Sequence, residues 1–122
     1  MGIVGPLRVF GSNVTVNCYL DVEIGDDSLF ADQVYVGDFD HRYEDPEIPV
    51  QRQGIAASPV RIGRDCWIGT KAVVLRGTTI GDGSVVGAGA VVKGRFEARS
   101  VIAGVPARAI GRRGNGEASS TV

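Results

Sequence analysis

The sequence predicts an all-β protein, a parallel β-helix with three flat sides, and three observations support that prediction. Glycine accounts for 18 of the 122 residues, roughly twice its usual share. Valine and isoleucine together number 27 against four leucines, and β-branched side chains favour strands over helices. From residue 62 the sequence repeats in steps of six, a period typical of neither an amphipathic helix nor a simple hairpin.

The repeat defines the predicted strands and corners. Its blocks are IGRDCW, IGTKAV, VLRGTT, IGDGSV, VGAGAV and VKGRFE over residues 62–97, with an earlier run IGDDSL, FADQVY, VGD from Ile24. Each block opens with an aliphatic residue that we expect to point inward. The fifth position of a block holds a small residue, except in the last block, where it holds Phe96. Three blocks close a coil of about 18 residues, and coils stack about 4.8 Å apart. A β-sandwich with glycine-rich turns would need this register by chance and is disfavoured.

The organisation along the chain is predicted to be one domain, residues 1–113, with a loop at about 38–59 and a disordered tail at 114–122. The loop is indicated by the spacing from Val36 to Ile62, which is 26 and no multiple of six. The stretch from Ala98 to Arg113 breaks the period, and we expect it to fold back as a C-terminal cap over the open coil edge.

Composition excludes several classes of protein. A net charge of −1 argues against a nucleic-acid binder, and two cysteines are too few for a disulfide scaffold. No apolar run approaches the roughly 20 residues that span a bilayer, and no signal peptide is apparent at the N-terminus. We therefore expect a cytoplasmic protein with no nucleic-acid or membrane partner.

His41 is the one histidine of the chain, and it lies where the repeat gives way to the loop. It is flanked by Asp38, Asp40, Glu44 and Asp45, which could fix its tautomer or raise its basicity. Nothing else in the sequence is an obvious base near neutral pH, so His41 is the candidate general base. An ordinary surface or packing histidine remains the alternative.

The charges are distributed unevenly. Residues 21–47 contain ten acidic residues and one basic residue, whereas residues 48–122 contain eleven basic residues and four acidic ones. The basic half is suited to an anionic ligand such as a polyphosphate cofactor. The alternative is a solvated surface without a ligand.

A family resemblance is carried by the repeat, by DFDHRY at the start of the loop, and by three longer segments. These are PVRIGRDCWIGTKAVV, GTTIGDGSVVGAGAVV and VIAGVPARAIGRR. Together they resemble the hexapeptide-repeat acyltransferases, most closely the maltose and galactoside O-acetyltransferase type, over about residues 9–113. The resemblance implies a left-handed β-helix and a homotrimer with active sites at the subunit interfaces. It also implies transfer of an acetyl group from acetyl-CoA to a hydroxyl or amine of a sugar-like small molecule, with no metal.

The resemblance also assigns residues. His41 matches the general base, and Asn17 and Asp21 match acceptor-binding positions. The residues that match cofactor-binding positions are Trp67, Thr70, Ala88, Lys93 and Arg108. The family often has Thr-Lys where this chain has Lys93-Gly94, so that cationic contact is shifted by one residue.

Two other functions are alternatives to acetyl transfer. A non-catalytic β-helix scaffold or assembly module that has lost activity is the main alternative. A zinc hydratase on the same framework needs about three imidazoles on the metal, and the chain has one histidine.

Overall fold

The fold is a left-handed parallel β-helix with an extruded loop and a C-terminal cap, as the sequence predicts. The computed structural model describes residues 3–4 and 9–114. Within those residues the one helical element is a single 3-10 turn, Val50–Arg52. Apart from Gly114, the predicted disordered tail lies outside the described residues.

Three sheets form the walls of a triangular prism. Sheet A contains, in spatial order, β1 (Ile3–Val4), β4 (Val22–Ile24), β9 (Val60–Ile62), β12 (Thr79–Ile80) and β15 (Arg95–Phe96). Sheet B contains β2 (Val9–Phe10), β5 (Leu29–Phe30), β10 (Trp67–Ile68), β13 (Val85–Val86), β16 (Ser100–Gly104) and β17 (Ala107–Arg112). Sheet C contains β3 (Thr15–Asn17), β6 (Tyr35–Gly37), β11 (Val73–Val74) and β14 (Val91–Val92).

The chain passes from sheet A to B to C and back to A, so each coil has three corners. We name them by the sheets they join. The A/B corner comprises residues 25–28, 63–66, 81–84 and 97–99, and the B/C corner comprises residues 11–14, 31–34, 69–72 and 87–90. The C/A corner comprises residues 18–21, 38–59, 75–78 and 93–94.

Successive coils stack in register. Trp67 lies opposite Val85 in sheet B and Val73 lies opposite Val91 in sheet C, each pair 18 residues apart. Since this interval is three whole blocks, the opening Ile or Val of one block meets its equivalent in the next coil. The predicted three-block coil is thus confirmed.

The core is the stack of these inward side chains, all at most 3% exposed. Its large members are Val22, Ile24, Phe30, Val36, Val60, Ile62, Ile68, Val74, Ile80, Val86, Val92 and Ile102. Burying each of them contributes roughly 1.5–3 kcal/mol relative to exposure. The aliphatic repeat is therefore the main source of stability.

The small residues at the fifth position are buried at the corners, where little room remains. The hydroxyl of Ser28 donates to the Gly63 carbonyl at 2.9 Å, and that of Thr78 donates to the Leu75 carbonyl at 2.6 Å. These bonds satisfy polar groups that would be costly to bury unpaired. Burial raises the pKa of the Cys66 thiol, which keeps it neutral in this position.

The last predicted block is wrong in one respect. Phe96 lies opposite Ile80, so it occupies the inward position that opens a block rather than the small fifth position. The step from Val92 to Phe96 is four residues because the corner Lys93–Gly94 is short, and Gly94 allows it with φ of 105°. After Phe96 the step of six resumes at Ile102.

The C-terminal cap is an antiparallel hairpin. Strand β16 extends sheet B in parallel with β13, and β17 then folds back along β16. Ala107 at the start of β17 is 3% exposed and packs against the hydrophobic core. The predicted C-terminal cap is confirmed.

The extruded loop leaves and rejoins the prism through a two-stranded antiparallel stem. The stem consists of β7 (Phe39–His41) and β8 (Ile55–Ala57), with Asp40 opposite Ala56 and His41 opposite Ile55. Beyond the stem, the side-chain Nε2 of Gln53 donates to the backbone carbonyls of Asp45 and Ile48. These bonds close the loop on itself.

The first prediction concerns the aliphatic stack. Ile80→Ala removes a 1% exposed side chain stacked between Ile62 and Phe96, and we expect it to lower the free energy of unfolding by about 2–5 kcal/mol. The neighbouring Thr79→Ala alters the outward face of the same strand and should cost less than about 1 kcal/mol. Urea unfolding at one fixed protein concentration measures both. Equal losses would contradict the assignment of the core.

Candidate functional site

The stem that carries His41 is tied to the prism at the C/A corner. The Ser58 amide donates to the Asp38 carbonyl at 2.9 Å, and the Arg42 amide donates to the Gly54 carbonyl at 3.0 Å. Both ends of the stem are therefore closed by backbone hydrogen bonds. The result is a short hydrogen-bonded ribbon that projects from the second coil.

Asp38 organises the corner beneath the stem. Its carboxylate is fully buried and accepts backbone N–H groups of Tyr19, Leu20 and Asp21 at 2.8, 2.7 and 2.7 Å. Burial alone would raise the pKa of this carboxyl, but the three N–H bonds outweigh it, and the pKa lies below its ordinary 3.8. Asp38 is thus held as a carboxylate that joins the first two coils.

His41 is exposed, and its imidazole has no hydrogen-bond partner within residues 9–114 of the chain. Side chains alternate along β7, so Phe39 and His41 lie on one face of the stem and Asp40 lies on the other. The Phe39 ring packs on Tyr19 with centroids 5.8 Å apart. The imidazole is therefore available to a ligand.

Arg76 holds the opposite face of the stem. Its Nε donates to Asp40 Oδ2 at 3.0 Å, and its Nη1 donates to Ser58 Oγ at 3.5 Å. Sequence reasoning did not single out Arg76. The signal was available, since Arg76 and the loop belong to the same corner of adjacent coils when the blocks are aligned.

Asn17 lies on the outer face of sheet C beside Tyr35. Its side-chain Nδ2 donates to the Tyr35 hydroxyl at 3.4 Å. Its backbone carbonyl accepts the backbone N–H of Asp38 at 3.3 Å. The Tyr35 ring lies across Gly37, where a Cβ would come 2.2 Å from the hydroxyl oxygen. Gly37 is thus required for the close approach of Tyr35 to Asn17; Asn17 was predicted from the sequence, whereas Tyr35 and Gly37 were not.

Asp21 is engaged in an ion pair. Its Oδ2 accepts Arg61 Nη2 at 2.6 Å, and Arg61 Nε lies 3.4 Å from Glu23 Oε1. The Asp21 carboxylate therefore faces sheet A, while its backbone belongs to the corner beneath His41.

Thr70 and Ala88 lie at the B/C corner, one above the other in consecutive coils. The Thr70 hydroxyl donates to the Asp32 carbonyl at 2.7 Å. In the described part of the chain, the backbone N–H groups of Thr70 and Ala88 have no acceptor. Gly69 brings the coils close here, since its Cβ would lie 2.7 Å from the Ala88 nitrogen. The corner presents two free donors in a line.

Trp67 projects from sheet B, with 46% of its surface exposed. It is the centre of an outward ladder of apolar side chains in register: Val9, Leu29, Trp67 and Val85. Val101 is next in register but is already buried, at 3% exposed. Arg108 belongs to β17 at the C-terminal end of the same sheet, where its Nη1 donates to the Ala107 carbonyl at 3.1 Å. Sheet A differs, because its outward positions Glu23, Arg61, Thr79 and Arg95 are polar.

The predicted residues form two separate groups. Asn17, Asp21, His41 and Lys93 lie at or beside the C/A corner. Trp67, Thr70, Ala88 and Arg108 lie on sheet B or at the B/C corner. The width of sheet C separates the two groups, so one chain does not bring His41 and Trp67 together, and Lys93 lies apart from the other cofactor residues.

No group of three or more His, Cys, Asp or Glu side chains among residues 3–4 and 9–114 could hold a metal ion. Over the same ranges no helix has the length and apolar character to cross a membrane.

Comparison with known proteins agrees with this architecture. The family model described as a hexapeptide repeat of succinyl-transferase matches residues 59–93. A probable acetyltransferase of Mycobacterium tuberculosis is 52% identical over 109 residues, which are 89% of this chain and 36% of that protein.

Solved structures of acetyltransferases also match this fold. A maltose O-acetyltransferase from Clostridium difficile 630 matches with a TM-score of 0.69 and 32% identity, covering 86% of this chain and 58% of that one. A galactoside acetyltransferase in complex with coenzyme A matches with a TM-score of 0.60 and 31% identity, covering 91% and 62%. The chain spans less than two thirds of the length of each of these relatives.

The second prediction concerns Asp38. Asp38→Asn weakens three backbone bonds, so we expect it to lower the free energy of unfolding at pH 7 by about 1–3 kcal/mol. Since folding depresses the pKa of Asp38, its stabilisation is complete above the ordinary pKa and is lost as the pH falls through the folded-state pKa. The difference from the wild type should therefore shrink below about pH 4.

Urea unfolding of the wild type and Asp38→Asn between pH 3 and 7 measures this difference. Glu47→Gln, which removes an exposed charge in the same acidic segment, is the control and should follow the wild-type curve. A constant difference at every pH would show that the ionised carboxylate is not the stabilising group.

Proposed function

We propose that this chain, which belongs to the hexapeptide-repeat acyltransferases of the maltose and galactoside O-acetyltransferase type, transfers an acetyl group from acetyl-CoA to a sugar-like small molecule. The accepting group is a hydroxyl or an amine. The observation that carries the proposal is His41, an exposed imidazole that has no hydrogen-bond partner among the described residues and lies on a hydrogen-bonded stem. Acetyl-CoA is a cosubstrate here, and no metal takes part.

His41 is the proposed general base. Its imidazole takes the proton of the acceptor hydroxyl as the oxygen attacks the thioester carbonyl, so that a C–O bond forms and the C–S bond breaks. The proton then passes to the leaving CoA sulfur. No covalent acyl-enzyme is needed, because one base serves both the attack and the departure.

Asn17 and Asp21 are the proposed acceptor-binding residues. The Asn17 amide donates to Tyr35 and leaves its Oδ1 to accept a sugar hydroxyl. The ion pair with Arg61 directs the Asp21 carboxylate to sheet A, so a direct contact with the acceptor requires the acceptor to extend toward that sheet.

The proposed cofactor path follows the B/C corner. The free N–H groups of Thr70 and Ala88 suit the amide carbonyls of the pantetheine arm, and Trp67 offers an apolar surface beside them. Arg108 is the proposed cation for the phosphates, and Lys93, which lies at the C/A corner, is proposed to join it from a neighbouring subunit. These roles agree with the basic excess of residues 48–122.

The separation of the two groups supports the proposal of a homotrimer with three sites between subunits. A cyclic arrangement places the C/A corner of one subunit against sheet B of the next and repeats that contact three times. The apolar ladder around Trp67 suits burial against a neighbour, whereas the polar sheet A suits the outside. We propose a cytoplasmic location, where Cys18 and Cys66 stay reduced.

The third prediction tests the base. His41→Ala should lower kcat by about 10²–10⁴-fold with little change in KM for acetyl-CoA, because the imidazole acts on the acceptor proton. Release of free CoA thiol with a panel of hexoses and amino sugars measures the rate. Gln51→Ala, an exposed change in the same loop, is the control. An unchanged rate in His41→Ala would remove this residue from the chemistry.

The fourth prediction tests the shared site. His41→Ala removes the proposed base at the C/A corner. Ala88→Trp should block the proposed cofactor path at the B/C corner by covering the N–H groups of Thr70 and Ala88. If the sites lie between subunits, reassembly of an equal mixture regenerates intact sites at about a quarter of the interfaces. Activity near that level is expected, although each variant alone is inactive. A mixture that stays inactive while native mass spectrometry shows mixed trimers would place both groups in one subunit.

A further inference from the structure

The stem that carries His41 leaves the second coil and is contacted by the first coil on one face and by the third coil on the other. We propose that Arg76, acting through Asp40, is a positioning residue that sets the direction of the His41 imidazole. The inference rests on the proposed function of His41 as the general base. It concerns a contact on the face of the stem opposite to the imidazole.

The contact on the Asp40 face joins three parts of the chain. Arg76 belongs to the corner of the third coil, whereas Asp40 lies on the outgoing strand of the stem and Ser58 follows the returning strand. One guanidinium reaches both, through Nε to Asp40 at 3.0 Å and through Nη1 to Ser58 at 3.5 Å. The planar fork of arginine allows two directed bonds at once, which defines an angle as well as a distance.

The contact on the other face comes from the first coil. Tyr19 packs on Phe39 with ring centroids 5.8 Å apart, and the Tyr19 amide donates to the buried Asp38 carboxylate. Since His41 lies on the same face of β7 as Phe39, the imidazole emerges on the Tyr19 side. Arg76 therefore holds the stem from one side while Tyr19 supports it from the other.

The small contribution of the Arg76–Asp40 ion pair to stability distinguishes a positioning role from a role in folding. The side chains of Arg76 and Asp40 are 30% and 49% exposed, and ion pairs as exposed as this one contribute at most about 1 kcal/mol to stability. A two-stranded ribbon, in contrast, is marginal by itself and needs outside contacts to keep one orientation. The loss of Arg76 should therefore change the direction of His41 more than it changes the stability of the prism.

The kinetic test is a double-mutant cycle with Arg76→Ala, Asp40→Ala and the double variant. Misplacement of a general base by about 1 Å costs up to about 100-fold, so each single change should lower kcat by at least roughly tenfold. KM for acetyl-CoA should change less than about twofold, because the proposed cofactor path lies at the other corner. The double variant should be no slower than either single variant, since all three lose the same contact.

Two further variants show that the contact itself matters. Arg76→Lys keeps the charge but loses the fork, so its kcat should fall between the wild type and Arg76→Ala. Asp65→Asn removes the acidic partner of a similar exposed pair, Arg113–Asp65 at 2.8 Å, at the A/B corner. This matched control should keep the wild-type kcat.

A second readout does not depend on activity. The chain has one histidine, so His41 gives the single imidazole signal in an isotope-labelled sample. Arg76→Ala and Asp40→Ala should shift and broaden this signal alike, whereas Asp65→Asn should leave it unchanged. The melting temperatures of all variants should stay within a few degrees of the wild type.

The outcomes separate this inference from the proposed function. A His41-dependent wild-type activity with an unchanged kcat in Arg76→Ala, or with additive losses in the double variant, would overturn the positioning role. An inactive wild type whose imidazole signal responds to both changes would support the positioning role and count against the proposed function. An inactive wild type with an unresponsive signal would overturn both.

Discussion

The structure depends on one constraint, the stacking of inward aliphatic side chains at the same position in every coil. The stack is in register because its interval is a whole number of six-residue blocks. This register also aligns the corners, since each coil must turn at the same three places. Residues far apart in the sequence, such as Thr70 and Ala88, thereby become neighbours along an edge of the prism.

Every departure from the step of six falls at one corner. The step from Val16 to Ile24 has two extra residues, that from Val36 to Ile62 has twenty extra, and that from Val92 to Phe96 lacks two. All three steps pass the C/A corner, where His41 also lies. A change of length there leaves the aliphatic stack in register on both sides, so this corner can vary in shape without loss of the core.

The sequence was sufficient for the parts that repeat and insufficient for the parts that do not. The period predicted the strands and the core because each block reports the same physical requirement, and the loss of the period after residue 97 predicted the cap. The period alone did not predict the roles of Asp38 or Arg76, because their partners lie in adjacent coils at the C/A corner, where the step of six is broken. Alignment of the corners across that insertion brings residues 18–21, 38–41 and 76 together. The contact of Tyr35 with Asn17 depends on the missing Cβ of Gly37, which the repeat pattern does not report.

The three faces differ in a way that relates fold to function. Sheet A is polar on its outer surface, whereas sheet B carries the apolar ladder around Trp67 and ends at the basic hairpin. The stem lies on the far side of sheet C from sheet B, so a rigid single prism has no means of joining His41 to the B/C corner. A longer loop that crossed sheet C would bring His41 to the B/C corner within one chain. Such a loop would be flexible and would hold the imidazole less firmly. In the proposed homotrimer, a second copy supplies the other half of the site on a framework of stacked coils, and this preserves the alignment of the proposed base and acyl donor that direct transfer requires.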